Sequence, residues 1–259
     1  MSEKSFARAT FTVEDGVWFR ELLSTVGRAR DELVIEVKKS GIGFRMMDPS
    51  RVYLWDAWLS NIFVDYRCSR VGRACLPLRN ILEVALRTVR ADSTVKFSVD
   101  GKKDLLLVDV DDRISREYEF TLDDYQEEDV PPPKIRFTSA YTFELRDLYD
   151  DLKGLARSGF QYVKFSGGRR EVTIEADGDD SSHSRRARFT YTSEQGLVDC
   201  KVWKKAAAKY DLKFLLEILN PRLSKFVTLR YASDMPVKIE YQIDGGRLEC
   251  YLAPVITTE

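Results

Sequence analysis

The chain has 259 residues, 44% of them hydrophobic and 32% charged, which excludes a disordered polypeptide and leaves room for one large domain or two of ordinary size. Its formal net charge of −1 excludes a uniformly basic nucleic-acid coat, though not a basic face balanced by acid elsewhere. No apolar run approaches the roughly 20 residues needed to cross a bilayer, and the N-terminal Met-Ser-Glu-Lys-Ser has no apolar signal core, so the expectation is an intracellular protein without membrane contact.

In chain order, an alternating strand over Phe6–Phe11 precedes a helical run from Asp15 to about Gly27. Phe19, Leu22, Leu23 and Val26 recur there at the spacing of a buried stripe, with Arg20, Ser24 and Arg28 on the other side. Leu33–Lys38, a glycine turn and another strand follow. Pro77 suits the start of a second helix, Leu78–Val89, because its missing N–H is harmless in the first turn. Leu78, Ile81, Leu82, Ala85 and Val89 form its stripe; Arg79, Asn80, Glu83, Arg87 and Arg90 face away. Alternation then predicts a strand at Val95–Gly101 and a partner at Leu105–Val108, with Arg113–Phe120 as a candidate edge strand.

The stretch Leu122-Asp-Asp-Tyr-Gln-Glu-Glu-Asp-Val-Pro-Pro-Pro-Lys134 is acidic and closed by prolines, so it can neither continue a helix nor sit inside a sheet. It reads as a linker, and beyond it the pattern repeats. Ile135–Thr138 reads as a strand, and the helix Leu145–Arg157 buries Leu145, Leu148, Leu152 and Leu155 while exposing Arg146, Asp150, Lys153 and Arg157. Tyr162–Phe165, a Gly167-Gly168 turn and Val172–Ala176 follow, and Val172–Asp177 is a second candidate edge. A last helix, Ala208–Leu219, points Ala208, Leu212, Leu215, Leu216 and Leu219 inwards and Lys209, Lys213 and Glu217 outwards, before Asn220-Pro221 and the strands Val227–Tyr231 and Val237–Ile243. Matching elements are offset by about 130 residues, a domain rather than a solenoid repeat. The expected architecture is α+β: two similar domains of antiparallel sheet with two helices each, residues 1–121 and 135–259, joined by the linker 122–134. All four helices carry a leucine-rich stripe and a polar face with more Arg and Lys than Asp and Glu, which suggests a shared basic surface.

Catalytic constellations are missing from the sequence. The single histidine, His183, lies in the loop-like Asp-Gly-Asp-Asp-Ser-Ser-His-Ser-Arg-Arg, too exposed to serve as a triad base. Neither a phosphate loop nor a dinucleotide fingerprint occurs. The cysteines Cys68, Cys75, Cys200 and Cys250 form no Cys-x-x-Cys pair and read as small buried strand residues rather than metal ligands. Asp109, Asp111 and Asp112, and Asp177, Asp179 and Asp180, are carboxylate clusters of the kind two-metal nucleases use, but both sit where turns favour Asp. No metal and no cofactor is expected; a metal-dependent nuclease is the rival reading.

Several segments carry a resemblance: Met47-Asp-Pro-Ser-Arg-Val52, Asp65-Tyr-Arg-Cys-Ser-Arg70, the linker ending in Val130-Pro131, Asp234-Met-Pro-Val-Lys-Ile-Glu-Tyr241 and Tyr251-Leu-Ala-Pro-Val-Ile256. Together, and in order over essentially the whole chain, they resemble the sliding clamps of the proliferating cell nuclear antigen family. The resemblance implies a subunit of a trimeric ring closed around duplex DNA, with helices lining the hole, no enzymatic activity and no cofactor. It implies phosphate contacts without sequence preference, for which helical phase nominates Arg20, Arg28, Arg79, Arg87, Lys153, Arg157, Lys209 and Lys213. Glu83, Asp147, Asp150 and Asp151 make these helices less basic than the family pattern.

The resemblance further implies a pocket for a short partner peptide. Its walls would be Met47, Val52, Leu54, Val130, Pro236, Tyr251, Leu252, Ala253 and Pro254, and the linker acids Glu127, Glu128 and Asp129 would favour partners with basic flanks. It implies subunit pairing of Arg113, Ser115 and Tyr118 with Val172, Ile174 and Ala176 of the next chain. Implied partners are DNA polymerase, a clamp loader, a flap endonuclease and DNA ligase, with either identical or related chains completing the ring. The Met-Asp-Pro-Ser-Arg-Val form looks more archaeal than eukaryotic, which would place the protein in the cytoplasm with the nucleoid rather than in a nucleus. A checkpoint-type clamp relative is the alternative within the resemblance.

Overall fold

The structure, a computed structural model, describes residues 6–125, 130–131, 133–179 and 184–256. Glu127, Glu128 and Asp129 of the linker, Asp180 of the second carboxylate cluster and His183 lie outside the described residues. The chain divides into two compact units. One is Met1–Arg51, Trp55–Pro131 and Ile243–Leu248; the other is Val52–Leu54, Pro132–Gln242 and Glu249–Glu259.

The first unit contains β1 (Arg8–Val13), α1 (Gly16–Val26), β2 (Leu33–Lys38), β3 (Gly41–Met47) and β4 (Tyr53–Leu59, whose first two residues belong to the second unit). β5 (Asp65–Arg70) and β6 (Gly72–Leu76) follow, then the helical stretch α2 (residues 78–88), β7 (Thr94–Asp100), β8 (Leu105–Asp111) and β9 (Ser115–Thr121). An antiparallel sheet runs β5-β1-β7-β8-β9, and β4-β3-β2-β6 run side by side in a second. Period-2 alternation explains the first sheet: Ala9, Phe11 and Val13 of β1, Val95, Phe97 and Val99 of β7, and Leu106, Val108 and Val110 of β8 are all buried on one face. Phe97 stacks on Phe11 at 5.1 Å between ring centroids and meets Phe19 of α1 edge-on at 5.5 Å, so helix and sheet share this core. Asp15 caps α1 by accepting a 2.8 Å hydrogen bond from the Trp18 N–H.

α2 departs from a regular helix. It runs as an α-turn at Leu78–Asn80, a π segment at Ile81–Ala85 and a 3-10 turn at Leu86–Thr88. The Leu86 N–H donates to the Ile81 carbonyl, five residues back, which adds one residue to the turn. That shift buries Leu86, which a 3.6-residue period turns outwards, and leaves Leu82 half-buried.

The second unit contains β10 (Ser139–Glu144), α3 (Leu145–Arg157), β11 (Tyr162–Gly167), β12 (Glu171–Asp179), β13 (Ser184–Thr192), β14 (Leu197–Val202), β15 (Ala206–Asp211), α4 (Leu212–Ile218), β16 (Phe226–Tyr231), β17 (Val237–Tyr241) and β18 (Gly246–Leu252, which begins in the first unit). Its sheets run β14-β10-β16-β17-β18 and β13-β12-β11-β15. α3 buries Leu145, Leu148, Leu152 and Leu155, as its spacing predicts.

Four expectations change. The strand expected at Ile135–Thr138 begins at Ser139; of the expected residues only Thr138 is tied to the sheet, its N–H donating to the Tyr231 carbonyl and its carbonyl accepting from the N–H groups of Trp203 and Lys204. The helix expected from Ala208 begins at Leu212; Ala206, Ala208 and Tyr210 alternate inwards on β15, and pairing with β11 overrides the helix preference of the three alanines. Asp211 then caps α4 through the Lys213 N–H at 2.8 Å. β12 is an interior strand, and β13 is the edge. Finally, all four cysteines lie on strands, but only Cys75 and Cys250 are buried.

Candidate functional site

Three features of the chain could serve a partner: the polar faces of the helices, the free sheet edges, and the segments around Met47, Val130 and the tail.

On α1, Arg20 is half-buried; its guanidinium donates to the Val89 carbonyl at 3.2 Å and pairs with Glu21 at 3.2 Å, so it ties α1 to the end of α2. Arg28 is exposed just past the end of α1. Arg79 pairs with Asp31 at 2.9 Å, and Lys213 with Glu217 at 3.9 Å. Lys153 lies over the Tyr149 ring. Arg87 on α2 and Arg157 in the last turn of α3 are exposed and make no ion pair among the described residues; Arg157 also sits where the helix dipole favours a cation. Lys209, nominated by helical phase, is on β15 and packs over Tyr162, since the segment that carries it is a strand.

Among the strands that end a sheet (β5, β6, β9, β13, β14 and β15), two polar-faced candidates for pairing are β9 in the first unit and β13 in the second. β9 has no buried residue; Glu117 and Glu119 lie exposed on it without a partner among the described residues, beside Ser115 and Tyr118, whose hydroxyl bonds the Thr88 hydroxyl at 3.3 Å. Ile114, next to Arg113, is 60% exposed. Val172, Ile174 and Ala176 are buried in the interior of β12 and cannot form an edge. The edge strand instead carries Arg185, Arg186 and Arg188, of which the last two pair with Asp177 and Glu175 of β12. An alternation of Ala187, Phe189 and Tyr191 against Arg186, Arg188 and Thr190 is the signal that marks this strand in the sequence.

In the first unit, Met47 and Val130 line a cavity of about 960 Å³ with Arg28, Arg30, Asp48 and Pro131. An adjoining cavity of about 610 Å³ is floored by Phe44, Met46 and Trp58. At its side the buried Asp56 carboxylate is held by Arg45 at 2.8 Å and by Arg247 at 3.1 Å, and Arg45 also donates to the Val130 carbonyl at 3.2 Å. The start of the linker is fixed too, since the Asp123 N–H donates to the Cys75 carbonyl.

In the second unit the tail is bonded rather than frayed: Ala253 N–H donates to the Val52 carbonyl at 2.9 Å and Val255 N–H to the Lys209 carbonyl at 2.7 Å. Val52, Pro236, Tyr251, Ala253 and Pro254 are half-buried and accessible. Leu54 and Leu252 are buried core residues, so neither side chain is open to a partner. The Tyr210 hydroxyl donates to the Met235 carbonyl at 2.9 Å beside Pro236; burial, with the nearby Asp234 carboxylate, pushes its pKa far above the usual phenol range. Burial works against the charge on Lys238, but Glu240 and Glu249, at 2.6 and 2.8 Å, hold its pKa above the ordinary lysine value while it lies over the Tyr251 ring.

Three of the clustered carboxylates have partners among the described residues. Asp109 pairs with Lys96 at 3.2 Å; Asp112 accepts from Arg116 at 3.1 Å, from the Ile114 N–H and from the Ser93 hydroxyl; Asp177 pairs with Arg186.

The family model described as proliferating cell nuclear antigen, N-terminal domain, matches residues 10–128. The DNA polymerase sliding clamp of Thermofilum pendens is 27% identical over 249 residues, covering 94% of this chain and 98% of that protein. That of Pyrococcus abyssi is 29% identical, covering 91% of this chain and 94% of that protein. Among solved structures, the antigen from Thermococcus kodakaraensis superposes with a TM-score of 0.87 at 25% identity, over 95% of this chain and 100% of that one. A PCNA2-PCNA3 complex from Sulfolobus tokodaii shares the fold, with a TM-score of 0.84 at 20% identity over 95% of this chain and 98% of that one. The match runs through both halves of the sequence and both units of the fold, and what the chain is similar to throughout is the sliding clamps of the proliferating cell nuclear antigen family.

Proposed function

We infer that the protein is a DNA polymerase sliding clamp: one subunit of a three-membered ring that encircles duplex DNA and tethers replication and repair enzymes, without catalysing a reaction itself. The observation that carries the ring is the pair of unpaired edges of opposite character, β9 with free Glu117 and Glu119 and β13 with Arg185, Arg186 and Arg188. An exposed edge is a template for another strand, and two different edges on one chain give a head-to-tail contact, which repetition turns into a ring where its rotation closes. In this reading the interface is β9 of one chain, with Arg113, Ser115 and Tyr118, against β13 of the next. The clamp domains are residues 1–121 and 135–259, joined by 122–134.

Duplex DNA meets the helices through phosphates, with Arg87 and Arg157, which make no ion pair among the described residues, together with Arg20, Arg28, Arg79, Lys153 and Lys213. The partner peptide of a polymerase, clamp loader, flap endonuclease or ligase docks in the first unit on the cavity that Met47 and Val130 line, and in the second unit on the accessible Val52, Pro236, Tyr251, Ala253 and Pro254. The engaged carboxylates of Asp109 and Asp112 support a binding role over metal-dependent hydrolysis. The protein works wherever the chromosomal DNA is.

Light scattering on the purified chain tests this. A species of three times 29.9 kDa that raises the processivity of a DNA polymerase on primed circles is the expected result. A stable 29.9 kDa monomer that gains mass only with a related chain would mean a ring of unlike subunits, and no processivity in either form would overturn the reading.

A further inference from the structure

The most exposed aromatic side chain outside these surfaces is Trp203, at 70%. It sits in the connection between β14 and β15, next to Lys204 and Lys205, and across a concave patch of about 480 Å³ from Arg169 and Arg170 at the β11–β12 turn. Arg169, Arg170, Lys204 and Lys205 are all exposed, and none makes an ion pair among the described residues; the acid lining the patch is Glu171. The patch lies at the end of β11 and β15 where Gly167 pairs with Ala206, opposite the Tyr162–Asp211 end at which α4 begins, so it is separate from the polar helix faces.

The patch is also built. Gly167 has no side chain where a Cβ would stand 2.1 Å from the Tyr141 hydroxyl, and that hydroxyl instead donates to the Gly168 carbonyl at 2.8 Å. The Cys200 thiol donates to the Arg169 carbonyl. On the other side, the N–H groups of Trp203 and Lys204 both bond the Thr138 carbonyl, and the Ser139 hydroxyl donates to the Lys204 carbonyl. Both loops are fixed through their backbones, which leaves the indole and the cations to solvent. An indole held on a rigid support among four cations without ion pairs among the described residues presents a stacking face beside a basic surface.

We propose that Trp203, Arg169, Arg170, Lys204 and Lys205 form a binding site for single-stranded nucleic acid, with one base stacked on the indole and the flanking phosphates on the four cations. Duplex DNA would satisfy the cations and leave the indole unused, because its bases are already stacked. An acidic peptide would need an apolar pocket for an anchor, whereas the lining offers only Val202 beside the indole. Base on aromatic ring with basic groups alongside is the arrangement by which single strands are held without sequence preference. The site goes beyond encirclement of a duplex and does not require the ring.

Anisotropy of a fluorescein-labelled oligothymidylate, with the full chain at low salt, tests the site. Trp203→Ala is expected to weaken binding by about fivefold or more, the effect of removing one stacked base, while Trp203→Phe keeps most of it. Arg169→Ser with Arg170→Ser should lower the salt slope by roughly 0.7 for each phosphate that is no longer neutralised. Lys102→Ala with Lys103→Ala, in the turn between β7 and β8, is the control for charge alone and should leave the oligothymidylate bound as before. The proposal is overturned if Trp203→Ala binds like the unaltered chain, if the Lys102 and Lys103 variant weakens binding as much as Trp203→Ala does, or if polyglutamate competes as well as the oligonucleotide and is equally indifferent to Trp203.

Discussion

Asp112 shows how one side chain can hold a turn. Its carboxylate is almost wholly shielded, 1% exposed, in the turn between β8 and β9. The Arg116 guanidinium, then the Ile114 N–H and, more weakly, the Ser93 hydroxyl hold its pKa down at about 2. A carboxylate held below its unfolded value of about 4 stabilises the fold fully above that value and stops doing so as the pH falls through its folded value. Asp112→Asn should therefore melt below the unaltered protein at neutral pH, and the gap should close between about pH 4 and pH 2. Thermal melts over that range decide it; a gap that does not change with pH would mean the hydrogen bonds, not the charge, hold the turn. Asp112 was legible in the sequence only as a member of a carboxylate cluster, because Arg116 and Ser93 become its partners through the pairing of β7, β8 and β9.

At the scale of the element, the sheet edges β9 and β13 differ in how plainly the sequence announces them. β9 alternates without a single buried residue and is recognisable as an edge from its sequence. β12 has the same polar alternation, yet β13 covers its far side. The segment that forms β13 begins with charged residues after a loop-like run, and what makes it a strand is pairing along the whole of β12, from Glu171 with Thr192 to Asp179 with Ser184. Long-range pairing of this kind leaves a weaker local mark than a helical stripe. If β9 meets β13 of the next chain, Glu117→Lys with Glu119→Lys places like charges across the contact. The double variant should sediment as a 29.9 kDa monomer where the unaltered chain forms the ring, with an unchanged melting temperature for the isolated subunit.

Over the whole molecule, a net charge of −1 conceals an uneven distribution. Exposed Arg87 and Arg157, without an ion pair among the described residues, lie on helices, while Glu117 and Glu119 lie on a sheet edge. A protein that holds DNA by encirclement needs only weak contacts, so those cations should govern salt dependence more than affinity. Arg87→Ala with Arg157→Ala should flatten the slope of log affinity for duplex DNA against log salt by roughly 0.9 for each phosphate left without its cation. Titration of a duplex over a range of salt concentrations checks this, and an unchanged slope would remove both residues from the DNA surface.

Sequence by itself determined the doubled pattern of strands and helices and the stripes of α1 and α3, because periodicity, capping and turn chemistry act over a few residues, while the segments around Met47 and Tyr251 stood out through their resemblance to sliding clamps. Tertiary structure decided the rest. It converted the three-alanine run before Tyr210 into a strand by pairing it with β11, and it inserted a π turn into α2 that buries Leu86. It moved Leu54 and Leu252 into the core. It also brought Arg169 and Arg170 to the same patch as Trp203, about thirty positions further along the chain, since pairing in a sheet, unlike a helical stripe, joins residues whose separation the local pattern does not record.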